Sequence, residues 1–203
     1  MSIPFQDSET SKNLLRAFAG ESQARNRYDF AANLCQKQEL QAMALIFQAT
    51  AKQEQAHAKV FWDHLQALNG QNLPIYGAYP IEGTNRILEL LRAAQHNEHE
   101  EHGSVYPSFA AIATQEGFPE AAAAFRQIAA IEQLHGERFG LLADQLESGA
   151  LFVSQIETGW ICLNCGHTQN SLAAPTQCPV CNHGQGWFIR LELAPWSPVV
   201  KQT

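Results

Sequence analysis

Seven acidic and imidazole side chains in the first 150 residues have the types and the spacing of metal ligands. They are Glu21, Glu54, His57, Glu98, Glu101, Glu132 and His135. Six of them form pairs three residues apart, and such a pair shares one face of a helix because three residues turn it by about 300°. Carboxylate-rich ligation with a minority of imidazoles suits iron or manganese better than zinc. Spacing alone does not separate ligands from solvated surface residues, which most glutamates are.

The positions of these residues relative to the predicted helix turns are more informative. In an antiparallel helical hairpin, residues equidistant from the turn lie at the same height. Glu21 and Glu54 are centred on residues 37 and 38, where we predict the first turn. The two pairs of the second hairpin are centred on Glu116-Gly117, where the helical pattern breaks. Each helix therefore brings an acid or an imidazole to one level, which is the geometry of a dinuclear carboxylate site.

Apolar residues at helical spacing predict four helices before residue 150. Their expected limits are a cap at Ser8 or Thr10 for the first, about Leu40 to Leu68 for the second, Thr84 to about Gln115 for the third, and an end near Ser148 for the fourth. The connection from Gln71 to Gly83 is long enough to cross a bundle. Two tight hairpins joined by one long crossover are the connectivity of a ferritin-like four-helix bundle, so we expect a mainly α fold.

Four cysteines follow in two Cys-x-x-Cys pairs: Cys162 with Cys165, and Cys178 with Cys181. Two such pairs offer four thiolates to one tetrahedral ion, either iron or zinc. Near residue 150 the alanine-rich composition gives way to Cys, Pro, Gly and Trp. We therefore predict a helical di-metal domain over residues 1–150 and a small metal-binding β domain over residues 151–203. Trp160, Trp187 and Phe188 are expected to form the core of the second.

Composition and charge argue against several classes of function. The 203 residues carry a formal net charge of −7, whereas a nucleic-acid binder usually shows a basic face. No apolar run approaches the roughly 20 residues that a membrane-spanning helix needs. The first residues show no export signal, and paired cysteines in such a chain favour metal over disulfides. We therefore expect a cytoplasmic metal-binding protein without nucleic-acid or membrane partners.

With both clusters placed, the chain resembles the rubrerythrin family over nearly its full length. The resemblance rests on the segment KNLLRAFAGESQARNRY at residues 12–28, on Glu54-Gln-Ala-His57-Ala-Lys, on Glu98-x-x-Glu101 with Tyr106-Pro107, on Glu132-x-x-His135, and on Trp160-x-Cys162-x-x-Cys165-Gly166 with Cys178-Pro179-x-Cys181. The first stretch is highly specific, and the whole set is more specific still.

The resemblance implies a peroxidase that carries iron at both clusters. In that family a di-iron site in the bundle reduces hydrogen peroxide to water, and a rubredoxin-like iron bound by four cysteines feeds it electrons. The implied di-iron ligands are Glu21, Glu54, Glu98, Glu101, Glu132 and His135. His57 would be an alternate ligand that trades places with Glu101, and Tyr28 and Tyr106 would be hydrogen-bond donors supporting the site. The resemblance also implies an external reductase or rubredoxin as electron donor, ultimately NAD(P)H, and a head-to-tail homodimer.

Elementary chemistry supports two parts of that assignment. Oxidation of a metal pair raises its charge, and a carboxylate that replaces a neutral imidazole offsets part of the change, so Glu101 and His57 are a sensible exchanging pair. Pro107 cannot donate a hydrogen bond to the carbonyl of Gly103, which predicts an irregular third helix there. One extra residue in that turn would bring Tyr106 back toward the face that carries the acidic pair.

Three features depart from the usual family pattern. The first turn carries Gln38-Glu39 where the family usually has Gly, which predicts a strained non-glycine residue. Gly136 and Gly140 either weaken the fourth helix or allow close packing there. The histidines at positions 96, 99 and 102 form a series that we interpret as a solvated face rather than a further metal site.

Two other functions remain possible from the residues alone. A ferritin-like protein that oxidises and binds iron would leave the cysteine domain as a structural zinc ribbon. A binding module with zinc in both sites would have no redox chemistry. The metal content and the response of the protein to peroxide and oxygen distinguish these alternatives from a peroxidase.

Overall fold

The structure, a computed structural model, describes residues 3–197 of the chain. Its α-helices are α1 (Glu9–Lys37), α2 (Gln41–His64), α3 (Ile87–Glu100), α4 (Tyr106–Glu116) and α5 (Pro119–Glu147). A π-helical turn, Glu101–Val105, joins α3 to α4, so these two make up the third predicted helix. The segments α1, α2, α3–α4 and α5 therefore correspond to the four helices that the sequence predicts.

A small sheet follows the helices. It consists of β1 (Val153–Cys162), β2 (Thr168–Ala173) and β3 (Phe188–Arg190), in the antiparallel order β2-β1-β3. The mainly α fold with a small β part at the end is confirmed. None of the described helices is both long enough and apolar enough to cross a membrane.

The chain forms two compact units that each take part of the helices. The first combines Met1–Arg27, Thr50–Gly83 and His96–Gly136, and the second combines Tyr28–Ala49, Thr84–Gln95 and Glu137–Thr203. Long helices contribute to both units, so this division does not coincide with the domain limit predicted at residue 150. That limit remains a prediction.

The start of α1 is held by two side chains. The hydroxyl of Ser8 accepts a hydrogen bond from the backbone N–H of Ser11 (3.1 Å), so Ser8 is the cap. The carboxylate of Glu116, at the end of α4, accepts from the N–H groups of Glu9 (3.0 Å) and Thr10 (2.8 Å). Burial raises the pKa of Glu116, but the hydrogen bonds from Thr10 and Glu9 outweigh it and lower the pKa. A negative charge at a helix N-terminus also complements the helix dipole.

Two turns close the helical hairpins. Between α1 and α2, Glu39 adopts a left-handed conformation with φ 60°, as predicted for a non-glycine residue in this turn. Between α4 and α5, Gly117 has φ 87°, and the N–H of Phe118 donates to the carbonyl of Ala113 (2.8 Å). The latter is the hydrogen bond of a Schellman helix end. Because the turns fix where each hairpin reverses, they fix which residues of its two helices share a height.

Each unit has an aromatic core of its own. In the first, the ring of Phe61 lies 5.5 Å from that of Tyr106 and 5.1 Å from that of Phe125. In the second, Phe139 lies 5.2 Å from Tyr28 and 5.0 Å from Phe47. Such ring pairs contribute about 1 kcal/mol each beyond the area they bury.

The small sheet has the core that the sequence predicts, and it contacts the first helical turn. Trp160 and Phe188 are buried, with Trp187 packed against them. Gly186 lies so close to the turn that a Cβ added to it would be 1.7 Å from the carbonyl oxygen of Glu39. Only glycine fits this approach, because any side chain would have to displace backbone.

The cap at α1 makes a prediction about stability. The Glu116→Gln variant should lose about 1 kcal/mol at pH 7, because a neutral amide is a weaker acceptor for the two N–H groups. A carboxyl whose pKa is lowered on folding stabilises the protein at pH values above its ordinary pKa of 4.5. This contribution is lost as the pH falls through the lowered pKa. The difference between variant and parent should therefore shrink in acid.

Thermal unfolding of both proteins, followed by circular dichroism at pH 7 and at about pH 3, measures this difference. Glu157→Gln, at an exposed position on β1, is the matched control. A Glu116→Gln protein as stable as the parent at pH 7 would contradict the assignment of this carboxylate as a cap.

Candidate metal centres

Two groups of side chains in the first compact unit each converge on a common space. Glu21, Glu54, His57 and Glu132 place one ligand atom apiece within 4.8 Å of one another. Glu54, Glu98, Glu132 and His135 do the same. Each of these residues is at most 6% exposed, so bulk water does not screen their charges. The structure thus brings together six of the seven predicted ligands of the bundle.

Glu54 and Glu132 belong to both groups through different oxygens. Nδ1 of His57 lies 2.9 Å from Oε1 of Glu132 and 3.2 Å from Oε2 of Glu54. Nδ1 of His135 lies 2.8 Å from Oε2 of Glu132 and 3.1 Å from Oε1 of Glu54. Each carboxylate therefore presents one oxygen to each group. Two carboxylates arranged in this way can bridge a pair of metal ions.

The arrangement of the donor atoms suits binding of two cations better than hydrogen bonding among the side chains themselves. Within residues 3–197, buried atoms of the cluster that have no hydrogen bond of acceptable geometry are Oε2 of Glu21, Oε1 of Glu54, both carboxylate oxygens of Glu132 and Nδ1 of His135. Converging lone pairs without donors are costly to bury. The four carboxylates of the two groups carry −4 when ionised, and two divalent cations balance that charge.

Without cations, two carboxyls of the cluster resist ionisation, whereas hydrogen bonds with His135 and His57 outweigh burial and lower the pKa of Glu54. Burial, and then the charges of Glu132 and Glu54, raise the pKa of Glu21. Burial, with the same two neighbours, raises the pKa of Glu98 to about 8. Burial would lower the pKa of His57, but its contacts with carboxylates, that of Glu132 first, raise it to about 12. Because metal ligation requires deprotonated ligands, cation uptake by this cluster should release protons.

His135 is oriented by a residue that the sequence did not single out. Its Nε2 lies 2.9 Å from Oε1 of Gln53. An amide oxygen only accepts, so Nε2 carries a proton; when the ring is neutral, as metal ligation requires, the lone pair is on Nδ1 and faces the carboxylates. A hydrogen bond of this kind is common behind histidines that bind metals. The only signal in the sequence is that Gln53 precedes Glu54 on α2.

Glu101 is the predicted ligand that joins neither group among the described residues. It begins the π-helical turn, is half-buried, and has Oε1 4.0 Å from the position that a Cβ on Gly20 would occupy. Burial, and then the charge of Glu98, raise its pKa, while Arg27 acts in the opposite direction. His57, and not Glu101, completes the first group in this structure. The exchange of these two ligands remains a prediction.

The π-helical turn provides the extra residue expected before Pro107. It places Tyr106 in the interior, where the residue is 1% exposed and its hydroxyl donates to Oε1 of Glu21 (2.5 Å). Burial, and then the charge of Glu21, raise the pKa of Tyr106, so the phenol keeps its proton and remains a donor. Turns of this kind often occur at functional sites.

The other predicted residues of interest lie in different surroundings. Tyr28 is buried, and its ring packs 5.9 Å from Phe47, so its role in the metal site remains a prediction. His96 and His99 are exposed, as expected of a solvated face. His102 differs, since it is half-buried and its Nδ1 donates to the carbonyl of Ala129 (2.8 Å).

The four paired cysteines form a second centre. Sγ of Cys162 lies 3.7 Å from that of Cys181, and Sγ of Cys165 lies 3.7 Å from that of Cys178. Sulfur ligands of a tetrahedral ion at about 2.3 Å are separated by about 3.8 Å, whereas sulfurs of a disulfide are about 2 Å apart. All four are free thiols. The geometry fits one tetrahedral metal ion.

The two cysteine pairs share one backbone conformation. Gly166 and Asn182, each directly after the second cysteine of its pair, have φ 78° and 59°. The N–H of each donates to the carbonyl of the first cysteine, at 2.8 and 2.9 Å. The next N–H, that of His183, donates to the sulfur of Cys181 and is the main reason that the pKa of this thiol falls to about 5. Such N–H groups favour thiolates, the form that binds metal.

Comparisons of the sequence agree with this geometry. A family model described as rubrerythrin matches residues 12–143, and one described as the rubrerythrin rubredoxin-like domain matches residues 160–189. A rubrerythrin from Porphyromonas gingivalis is 43% identical over 188 residues, which cover 93% of this chain and 92% of that protein. A rubrerythrin from Clostridium perfringens is 42% identical, over 89% of this chain and 93% of that protein.

Solved structures are similar in fold. Fully reduced, all-ferrous nigerythrin superposes with a TM-score of 0.61 at 24% identity, covering 94% of this chain and 88% of that one. Dithionite-reduced symerythrin from Cyanophora paradoxa gives a TM-score of 0.58 at 18% identity, over 72% and 89%. At these identities the likeness establishes the ferritin-like fold and no more.

The hydrogen bond behind His135 predicts an effect on metal affinity. Gln53→Ala should weaken binding of the second divalent ion about tenfold or more, because Nδ1 is no longer held toward the carboxylates. Anaerobic titration of the metal-free protein with ferrous ion, by calorimetry, measures the two binding steps. Gln55→Ala, an exposed position on the same helix, is the matched control. Equal affinities in the two variants would show that Gln53 does not orient the ligand.

Proposed function

The chain belongs to the rubrerythrin family, and from that premise we propose that it reduces hydrogen peroxide to water. It carries the carboxylate and histidine cluster of a di-iron site together with a four-cysteine rubredoxin-like site, and its family binds iron. The observation that carries the proposal is the pair of buried ligand groups sharing Glu54 and Glu132, in the same chain as a four-sulfur centre suited to electron transfer. The family is one of oxidoreductases.

In the proposed site the residues divide between two iron positions. Glu21 and His57 serve one position, Glu98 and His135 serve the other, and Glu54 and Glu132 serve both. The iron pair, when bound, supplies two electrons that break the O–O bond of one hydrogen peroxide, and two protons complete two waters. The arrangement with His57 balances two ferrous ions, because four carboxylates offset a charge of +4. Glu101 in place of His57 adds one negative charge, which suits the oxidised pair.

The surrounding residues exclude water and position protons. The cluster residues are buried, so a small substrate meets few competing waters there. Tyr106 holds Glu21 by donating its phenolic proton to Oε1. His57, when it leaves the metal, can take up or deliver a proton at Nδ1, and Glu101, while it lies outside both groups, can hold one on its carboxyl.

Electrons are proposed to enter at the cysteine centre. Cys165 is exposed, and Val180, between the cysteines of the second pair, is 66% exposed. This edge suits contact with an external reductase or a rubredoxin, with NAD(P)H as the ultimate source of electrons. A head-to-tail homodimer would bring the cysteine centre of one chain to the bundle of its partner. Free thiols suit the reducing cytoplasm.

The proposal predicts that hydrogen peroxide oxidises the reduced protein faster than oxygen does. Fully reduced, iron-loaded protein is mixed without oxygen with one equivalent of hydrogen peroxide, and the visible absorption of the ferric four-sulfur centre is followed. The colour should return rapidly, and faster than with oxygen. If this colour never appears, before reduction or after peroxide, the cysteine site holds zinc and electron input there is wrong. A faster return with oxygen would favour a ferritin-like iron-oxidising protein.

The ligand exchange makes a further prediction. His57→Ala should retain two irons in the oxidised protein, because Glu101 can complete the first group, but should react with peroxide about 100-fold more slowly. Iron content by chelation and the absorption change after peroxide addition measure both effects. His64→Ala, another histidine on α2, is the control. An unchanged peroxide rate in His57→Ala would rule out a role for the imidazole.

A further inference from the structure

A cavity of about 250 Å³ in the first compact unit reaches the edge of the carboxylate cluster. Glu101 and Tyr106 are part of its wall, and the Tyr106 hydroxyl is bonded to Glu21 of the first ligand group. Gly20 on α1 also lines it. The cavity therefore reaches Glu101 and Tyr106, and both residues have a role in the proposed function.

The crossover segment between α2 and α3 covers this cavity. We call residues 76–82 the strap. Two hydrogen bonds run in opposite directions between the strap and one residue of α1: Nε of Arg16 donates to the carbonyl of Tyr76 (2.9 Å), and the hydroxyl of Tyr79 donates to the carbonyl of Arg16 (2.9 Å). The strap is thus held to α1 at two points three residues apart.

The other end of the strap is held by a carboxylate. Oε1 of Glu82 lies 2.7 Å from Nη1 of Arg27 and accepts from the side-chain amide of Asn97 (2.9 Å). The side chains of Glu82 and Arg27 are only 15% and 16% exposed, so this ion pair is shielded from solvent. Asn97 directly precedes Glu98, a residue of the second ligand group. The strap is therefore anchored at both of its ends.

The width of the cavity near Glu101 is set by the ring of Tyr79 and by the absence of a side chain at Gly20. A Cβ on Gly20 would lie 3.6 Å from Cε1 of Tyr79 and 4.0 Å from Oε1 of Glu101. The ring of Tyr79 and the carboxyl of Glu101 therefore face the same gap. Tyr79 is 39% exposed and lies in the strap, whereas Glu101 is half-buried and begins the π-helical turn.

The charges around the cavity are largely paired. Arg16 forms an ion pair with Glu9, and Arg27 forms one with Glu82. The remaining lining includes the carboxyl groups of Glu100 and Glu101, which disfavour an anion, and tyrosine and amide groups, which offer hydrogen bonds without net charge. Such a wall suits a small, neutral, polar molecule better than an anion.

We propose that this cavity is the entry site for the hydroperoxide substrate, and that the ring of Tyr79, facing Gly20, sets the size of the molecules that reach the cluster. The proposal rests on the peroxidase function above. Hydrogen peroxide fits the gap, and a hydroperoxide with a bulky substituent is excluded by the ring.

The first test widens the entrance. Tyr79→Ala should raise the rate of reaction with cumene hydroperoxide relative to that with hydrogen peroxide by about tenfold, because the excluding ring is gone. Tyr76→Ala makes the same substitution at a side chain that is 85% exposed and does not line the cavity, and it should leave the ratio unchanged. Equal ratios in Tyr79→Ala and the parent would overturn the size limit.

The second test narrows the entrance and does not depend on turnover. Protein with zinc at the cysteines and ferrous iron in the bundle is mixed anaerobically with nitric oxide, a small neutral ligand, and the rate of nitrosyl formation is followed by absorption. Gly20→Val, which fills the gap, should slow the rate about tenfold at unchanged iron content. Ala78→Trp, which adds bulk from the strap, is the second variant if Gly20→Val loses iron.

The two tests separate the two proposals. Slow nitric oxide binding in the narrowed variants, together with no reaction of the parent with peroxide, would keep the entry site and reject the peroxidase. Unchanged nitric oxide binding in both narrowed variants would overturn the entry site, whatever the parent does with peroxide.

Discussion

Four carboxylates share one enclosed volume in this protein, and their mutual repulsion and lost hydration are the constraint on which the surrounding structure depends. Without cations two of these groups resist ionisation, as the raised pKa values of Glu21 and Glu98 indicate. Two divalent cations would balance the charge of −4 that these carboxylates carry when all four are ionised. The hydroxyl of Tyr106 and the amide of Gln53 each fix one ligand, which leaves the converging lone pairs directed at the same space.

Much of this arrangement can be predicted from the sequence, because hairpin geometry converts residue numbers into heights. The midpoints of the acidic residues lie within two residues of the turns that Glu39 and Gly117 make in the structure. The irregular turn before Pro107 is predictable as well, since a missing N–H leaves a specific carbonyl without its donor. The left-handed Glu39 follows from the absence of glycine in a turn that needs one.

Features that depend on side-chain conformation or on distant contacts could not be predicted. Nothing in the sequence distinguishes Gln53 from its exposed neighbours, and nothing indicates that Glu116 caps a helix more than 100 residues away. Whether His57 or Glu101 faces the cluster depends on side-chain rotamers, and both side chains can bind metal.

The two centres differ in how far the local sequence determines them. The cysteine site is encoded by short loops that repeat one backbone conformation, whereas the carboxylate site exists only when four helical segments assemble.

The π-helical turn changes the angular phase of the third helical segment. One additional residue rotates everything after it by about 100° relative to a regular helix, so α3 and α4 can satisfy separate angular requirements. The first aims Glu98 at the cluster, and the second aims Tyr106 at Glu21. A regular α-helix is intrinsically more favourable than a π-helical turn. The hydrogen bond from Tyr106 to Glu21 opposes a return to the regular helix. The position of Glu21, a predicted metal ligand, and the winding of the helix are therefore linked through this hydrogen bond, and movement of Glu21 would rotate α4.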